Sequence, residues 1–598
     1  MFHRQSRSAL IVFLLLALNV FLISPLFAGP LADKARLFDR LVAENHVFGG
    51  LVYDVREGPG GQPQLHGAGD SCIWTGGWAA ALAYRYRATH DPEALRLLET
   101  TLRGYSTLQR ITGDPGFAGR SWGKPDWFPD ARRMRPGVAS YSHLVYVADT
   151  SRDQYIGMFL AYALGTPLME GSDTRRLIQE DLRAIGRRLM RDNLALITVI
   201  DGVRSTQFNL NPDYCYQDRI NPVEWATVDD FPANVFASIV PFDDRLAAGL
   251  STFRPPPIRG GETWRALLMM STAARYADDP ELERFYRDEL RGRRQLARVA
   301  SETSQMISDL EAGINRPVWK RTLGGLYQAF WRTCGEVVDR LGMAPRCLLR
   351  LLAPLCLECA RMRGEHAADL LFNALDLLRK PGSFVPLHKP AEFLESLSNT
   401  LISLGIKKPA ERLRKIASRL HAMAISNLDE FFDAQRSYVG TNITYFAMLG
   451  ILESNPDPEL ASAARDCVDR AFLQIADEKN ALYTYIRAAF GATPLDPVRL
   501  AEAKETMLDY PTEQVDKRFD HRGDAGLRLL PWPDRFGRVG NQAVRPFPLS
   551  QRAPDIFPWQ RDLRDVTSGG DGKTHIAPVG YLLAYWFARS HGLLTSDD

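Results

Sequence analysis

Apolar residues at helical spacing, in segments often opened by an Asp-Pro pair or a nearby proline, run along most of this chain and restrict it to a mainly helical fold. Residues 31–45 follow Pro30 and place Leu31, Ala35, Phe38 and Leu41 on one face. Residues 72–89 read as a second, more apolar helix. Asp91-Pro92-Glu93 opens a third, with Asp91 as N-cap and Pro92 in the first turn, where its missing N–H costs nothing. Asp149-Thr-Ser-Arg-Asp153 opens another through Tyr155, Met158, Phe159 and Tyr162, and residues 174–194 continue the series. The β-branched run 197–200 then reads as a strand ending in the turn Asp201-Gly202. Further helices are predicted at 263–277, 280–293, 295–311, 366–378, 390–404, 409–426, 458–476 and 580–590. Consecutive helix pairs with little strand predict a mainly α fold, a toroid of helical hairpins. No short repeat supports an open solenoid.

Two regions break the pattern. Residues 331–380, rich in Leu, Arg and Cys, read as the centre of a helical insertion spanning about 318–425. Residues 511–575 are loop-rich in Pro, Gly, Asp and Arg, but Trp532, Phe536, Phe547, Phe557 and Trp559 recur through them. So long an irregular stretch is expected to pack over a site.

At the start, His3, Arg4 and Arg7 precede an apolar run from 9 to 23, then Pro25 and Ala28-Gly29. These are the parts of a secretory signal cleaved after Ala28, leaving 29–598 as one barrel-like domain. The second reading is a retained single-span anchor, since residues 9–28 have about the length a bilayer requires. Either way the rest is expected to be exported, periplasmic or extracellular, and to meet a membrane only through an uncleaved N-terminal segment. The 73 Lys and Arg against 71 Asp and Glu lack the basic excess of a dedicated nucleic-acid binder. Seven cysteines are too few for a disulfide framework, and Cys356 and Cys359 have no second pair at zinc spacing. No nucleophile elbow, phosphate loop or His-Glu-x-x-His motif is present, and no cofactor or metal is expected.

Three clusters could carry chemistry. In Gly69-Asp70-Ser-Cys-Ile-Trp74-Thr-Gly-Gly-Trp78, Asp70 stands where a helix cap or a cleft carboxylate would, and Trp74 and Trp78 share a face that suits either core or a sugar-stacking wall. Downstream of Trp122, Tyr141 and His143 would point the same way from an extended segment, and Asp149 and Asp153 fall near one side of a helix start with Arg152 and Tyr155 beside them. The third, Asp201-Gly-Val-Arg-Ser-Thr-Gln207, reads as a polar hairpin turn. Carboxylates among aromatic walls suit glycosidic chemistry: one acid protonates the leaving oxygen while a second acts as base or nucleophile.

Asp70-Ser-Cys-Ile-Trp-Thr-Gly-Gly-Trp, Asp149-Thr-Ser-Arg-Asp-Gln-Tyr-Ile-Gly, Asp201-Gly-Val-Arg-Ser-Thr with Asn209-Leu-Asn-Pro, and the ending Phe557-Pro-Trp-Gln-Arg561 with Gly580-Tyr-Leu-Leu-Ala-Tyr-Trp resemble the six-hairpin glycosidase-like superfamily, in its exported bacterial branch. The resemblance covers about 31–210 and 427–594. It implies an (α/α)6 barrel with a cleft at one end. In the unsaturated-uronide hydrolases of that superfamily one Asp enters at the second helix and another on a later inner helix. Asp70 matches the first by position, and Asp149 or Asp153 the second, although those enzymes carry adjacent carboxylates there.

The resulting expectation is a glycoside hydrolase acting on a polysaccharide fragment. Asp153 or Asp149 is the general acid/base, Asp70 its partner, and Trp74, Trp78, Trp122, Tyr141, His143, Arg152 and Tyr155 bind substrate. Two alternatives stand beside it: a polysaccharide lyase using Tyr141, His143 or Tyr146 as base, and a non-catalytic toroid binding glycan or protein.

Overall fold

A computed structural model describes residues 29–58, 62–131, 134–200, 203–210, 256–298, 438–454, 457–530 and 540–598, with a few isolated positions between them. The described part is mainly helical. In chain order the helices are α1 (Pro30–Asn45), α2 (Ser71–Thr89), α3 (Pro92–Arg110), α4 (Arg152–Gly165), α5 (Asp173–Arg191), α6 (Pro256–Tyr276) and α7 (Pro280–Arg284, continuing as π-helix through Phe285–Arg293). Then follow α8 (Tyr438–Ser454), α9 (Pro458–Ile475), α10 (Ala481–Phe490), α11 (Pro497–Asp509) and α12 (Val579–Ser590). The Asp-Pro signals work as local chemistry predicts. Asp91, Asp279, Asp457 and Asp496 each accept from the N–H two residues on, at 3.0, 3.0, 3.0 and 2.9 Å. Each such cap is worth about 1 kcal/mol.

The helices alternate in character. Even-numbered α2, α4, α10 and α12 bury nearly every position along their cores, as residues 71–84, 154–165 and 579–588 illustrate. Odd-numbered α1, α3 and α5 bury one stripe only, which marks surface helices. The buried helices pack in series: α2 on α4, α4 on α6 and α8, α6 on α8, α8 on α10, α10 on α12, and α12 on α2. α2 and α4 approach closely. Gly76 faces the Gly157 carbonyl, and a Cβ on either glycine would strike the other helix's backbone.

Among the described residues strand is confined to small pieces. Ala195–Ile200 and Val203–Asn209 pair as an antiparallel hairpin, so the expected strand has a partner; Asp201 and Gly202 lie outside the described residues. Asp54–Glu57 is the middle strand of three, flanked by Pro63–His66 and by Thr574–His575 from the far end of the sequence. Through that pairing the loop-rich stretch is fastened over the helix ends. Its Phe557 and Trp559 are buried, Phe557 stacking on Trp74 at 5.2 Å, whereas Trp532 and Phe536 lie outside the described residues.

Helices α8, α10 and α11 have no counterpart among the expected helices, and α6 begins seven residues before the expected 263. The expected helices 366–378, 390–404 and 409–426 and the insertion at 318–425 lie outside the described residues, apart from isolated positions, as does the N-terminal segment 1–28. Among the described residues no helix is long and apolar enough to cross a membrane, and Cys72 and Cys467 are buried thiols outside any disulfide.

One buried acid makes stability pH-dependent. Asp39, 5% exposed, accepts from the Trp586 indole at 3.0 Å and pairs with Arg85 at 3.3 Å. Burial outweighs that pairing and pushes its carboxyl up to about 7. The folded state therefore holds the proton more tightly than the unfolded chain. The resulting stability is full below the ordinary value of 3.8 and is lost as pH rises through about 7. The thermal midpoint is expected to fall between pH 5 and pH 8, and Asp39→Asn to flatten part of that fall. Parallel melting curves for parent and variant would contradict this.

Candidate active site

A cleft of about 380 Å³ opens where the first turn of α2 meets the 510–576 stretch. Four carboxylates line it. Asp54 comes from the middle strand, Asp70 from the position preceding α2, and Asp516 and Asp555 from the overlying loops. Arg552 and Arg561 supply the positive charge, and Tyr53, Trp74 and Tyr510 the aromatic wall.

Asp54 is held by the Ala577 N–H at 3.1 Å, from two residues before the start of α12. Gly67, with φ +70°, passes so near that a Cβ there would sit 3.3 Å from Asp54 Oδ2, in a backbone conformation that side chains rarely adopt. Burial dominates its chemistry. With the neighbouring charges of Asp555 and Asp516 it pushes the Asp54 carboxyl up to about 7, against the Ala577 hydrogen bond and, more weakly, Arg561. Asp555 pairs with the Arg561 Nε at 2.9 Å and accepts from the Gln560 amide, and burial still raises it. Asp516 accepts from the Thr574 N–H at 3.0 Å. Arg552 is buried, donates to the Asp565 carbonyl at 3.5 Å, and is pushed down by burial.

Asp70 precedes the first residue of α2 but makes no side-chain cap there. Its carboxylate is 62% exposed, accepts from the Gln154 side-chain amide at 3.2 Å, and stands 3.7 Å from Arg120. Arg120 also donates to the Gly69 carbonyl at 2.9 Å and to the Asp149 carbonyl, tying the two loops together.

The other expected residues are placed as follows. Asp149 is exposed and stands outside the helix. Ser151 holds the N-cap position of α4, so the pairing of Asp149 with Asp153 on one helix face does not form. Asp153 is in the first turn of α4 with Arg152 beside it at 3.9 Å, adjacent in sequence to the Gln154 that reaches Asp70. Neither Asp149 nor Asp153 lines the cleft. Trp78 and Tyr155 are fully buried, Tyr155 holding Gly116 and Ala118 through its hydroxyl, so both serve as core rather than as sugar walls. Trp122 is 9% exposed and spends its indole N–H on the Gly104 carbonyl. Tyr141 closes a 3-10 turn at Ala139–Tyr141 and His143 is exposed beyond it, so the expected extended pair does not form; with buried Tyr146 they stand outside the cleft.

Asp54, Asp516, Asp555 and Arg552 were missed. The only sequence signal was the aromatic-rich loop stretch that supplies three of them. Among the described residues no group of three His, Cys, Asp or Glu side chains is placed to hold a metal. No family model, curated protein or solved structure matches the chain.

Proposed function

We propose that the protein is an exported glycoside hydrolase acting on a polysaccharide fragment in this cleft, with Asp54 as proton donor and Asp70 as the partner carboxylate. The observation that carries the reading is the contrast between the two acids. Asp54 is held near neutrality by burial and by neighbouring carboxylates, whereas Asp70 is open to solvent and holds a polar side-chain amide. An acid that keeps its proton at pH 7 can protonate a leaving glycosidic oxygen, and an open carboxylate can activate water or attack carbon. Tyr53, Trp74 and Tyr510 line the same cleft with aromatic surface.

The reading takes the helices as six hairpins closed into an (α/α)6 ring, as the resemblance to the six-hairpin superfamily implies. Support comes from the alternation of fully buried and one-faced helices and from the packing series that runs from α2 through α12 and back to α2. Export rests on the basic and apolar N-terminal sequence. A binding cleft without turnover is favoured by one feature, the large share of the wall that the 510–576 stretch supplies.

The test incubates the protein and its Asp54→Asn and Asp70→Asn variants with a panel of polysaccharides and unsaturated oligosaccharides. New reducing ends and the enol-ether absorbance are read. Turnover by the parent that both folded variants lose is the expected result. Turnover indifferent to both changes would overturn the site, and glycan binding without turnover would leave the binding reading in its place.

A further inference from the structure

The position before a helix normally spends an Asp side chain on the helix's own first N–H groups, because those donors have no partner within the helix. Asp70 has that position and makes no such bond. The missing acceptors arrive from elsewhere: the Arg120 carbonyl takes the Cys72 N–H at 3.0 Å, and a side chain of another helix takes the Ile73 N–H. Gln154 of α4, 1% exposed, turns its Oε1 to the Ile73 N–H at 3.1 Å and donates its Nε2 to Asp70 Oδ1 at 3.2 Å. The amide cannot be reversed without setting N–H against N–H and oxygen against carboxylate, so its two ends are assigned by their partners. The Cys72 thiol donates to the Gln154 carbonyl at 3.2 Å, and the contact of Gly76 with Gly157 one turn further along brings the helices close enough for a side chain to cross.

We infer that Gln154 is a positioning residue for the cleft. With the Arg120 carbonyl it takes over the capping of α2, releases Asp70 from that duty, and holds the Asp70 carboxylate toward the cleft. Arg120, 3.7 Å from the same oxygen, holds Asp70 from the side of the 120 loop. That Asp70 then acts on substrate rests on the hydrolase reading above. That Gln154 holds it does not.

Two variants test the inference. Gln154→Leu keeps most of the buried volume and removes both bonds. Its crystal structure is expected to show the Asp70 carboxylate turned in to accept from the Ile73 N–H, and kcat is expected to fall by up to about 10²-fold with KM little changed. Gln154→Glu can donate to Asp70 only while protonated, so its turnover relative to the parent is expected to rise as pH falls. An unmoved Asp70 in Gln154→Leu would overturn the inference, as would a Gln154→Glu profile parallel to the parent's. Should Asp70→Asn leave turnover intact, the catalytic reading of Asp70 fails, and the Gln154→Leu structure still decides what holds it.

Discussion

On the proposed hydrolase reading, Asp54→Asn is expected to lower kcat/KM on a cleaved glycan by about 10²–10⁴-fold, the range that a positioned proton donor contributes. The fold is expected to survive, for a reason visible in its contacts. The Ala577 N–H that Asp54 accepts at 3.1 Å is satisfied equally by an amide oxygen. The substitution also removes a carboxyl that burial makes costly to ionise, so the thermal midpoint at pH 8 is expected to match or exceed the parent's. Loss of turnover with an intact melting transition supports the proton-donor role. Undiminished turnover, or loss that merely follows unfolding, contradicts it.

Gly157→Ala is expected to be among the most damaging single methyls at the crossing of α2 and α4. The added Cβ would meet the Ile73 Cα, the Ile73 carbonyl oxygen at 2.5 Å and the Cys72 carbonyl oxygen at 2.9 Å, all of them backbone. No rotamer change relieves a backbone contact, so α2 and α4 must separate, at a cost of about 3 kcal/mol or more. Separation would also stretch the Gln154 bonds to Ile73 and Asp70, so residual turnover is expected to fall further than the folded fraction does. Gly523→Ala, whose Cβ meets nothing within 4 Å, is the control. Denaturant midpoints that agree for the two variants would show that the crossing is looser than these contacts require.

How much the sequence disclosed depends on how local each cause is. The Asp-Pro starts are settled within three residues, and Asp91, Asp279, Asp457 and Asp496 all cap as their neighbours dictate. By contrast, α8 carries Val, Thr, Asn and Ile in its first turns and shows no amphipathic stripe, because nearly every residue from 442 to 451 is buried. Asp70 was legible as a candidate, but whether it caps or faces a ligand is decided by Gln154, more than eighty residues away. Asp54 was not legible. It begins a four-residue strand whose neighbours are the adjacent strand and residues 574–575, and the burial that raises its carboxyl exists only once the two ends of the chain have met. Asp149 misled because Asp-Thr-Ser offers three capping side chains in a row, and the helix begins beside the last of them.

The most direct test of the account is the pH dependence of kcat/KM, measured on whichever glycan the panel shows to be cleaved. A proton donor whose carboxyl sits at about 7 predicts activity that declines as pH rises through that value, with the decline absent from the residual rate of Asp54→Asn. Activity that holds level to pH 9, or an identical decline in Asp54→Asn, would contradict the assignment of Asp54 as the acid.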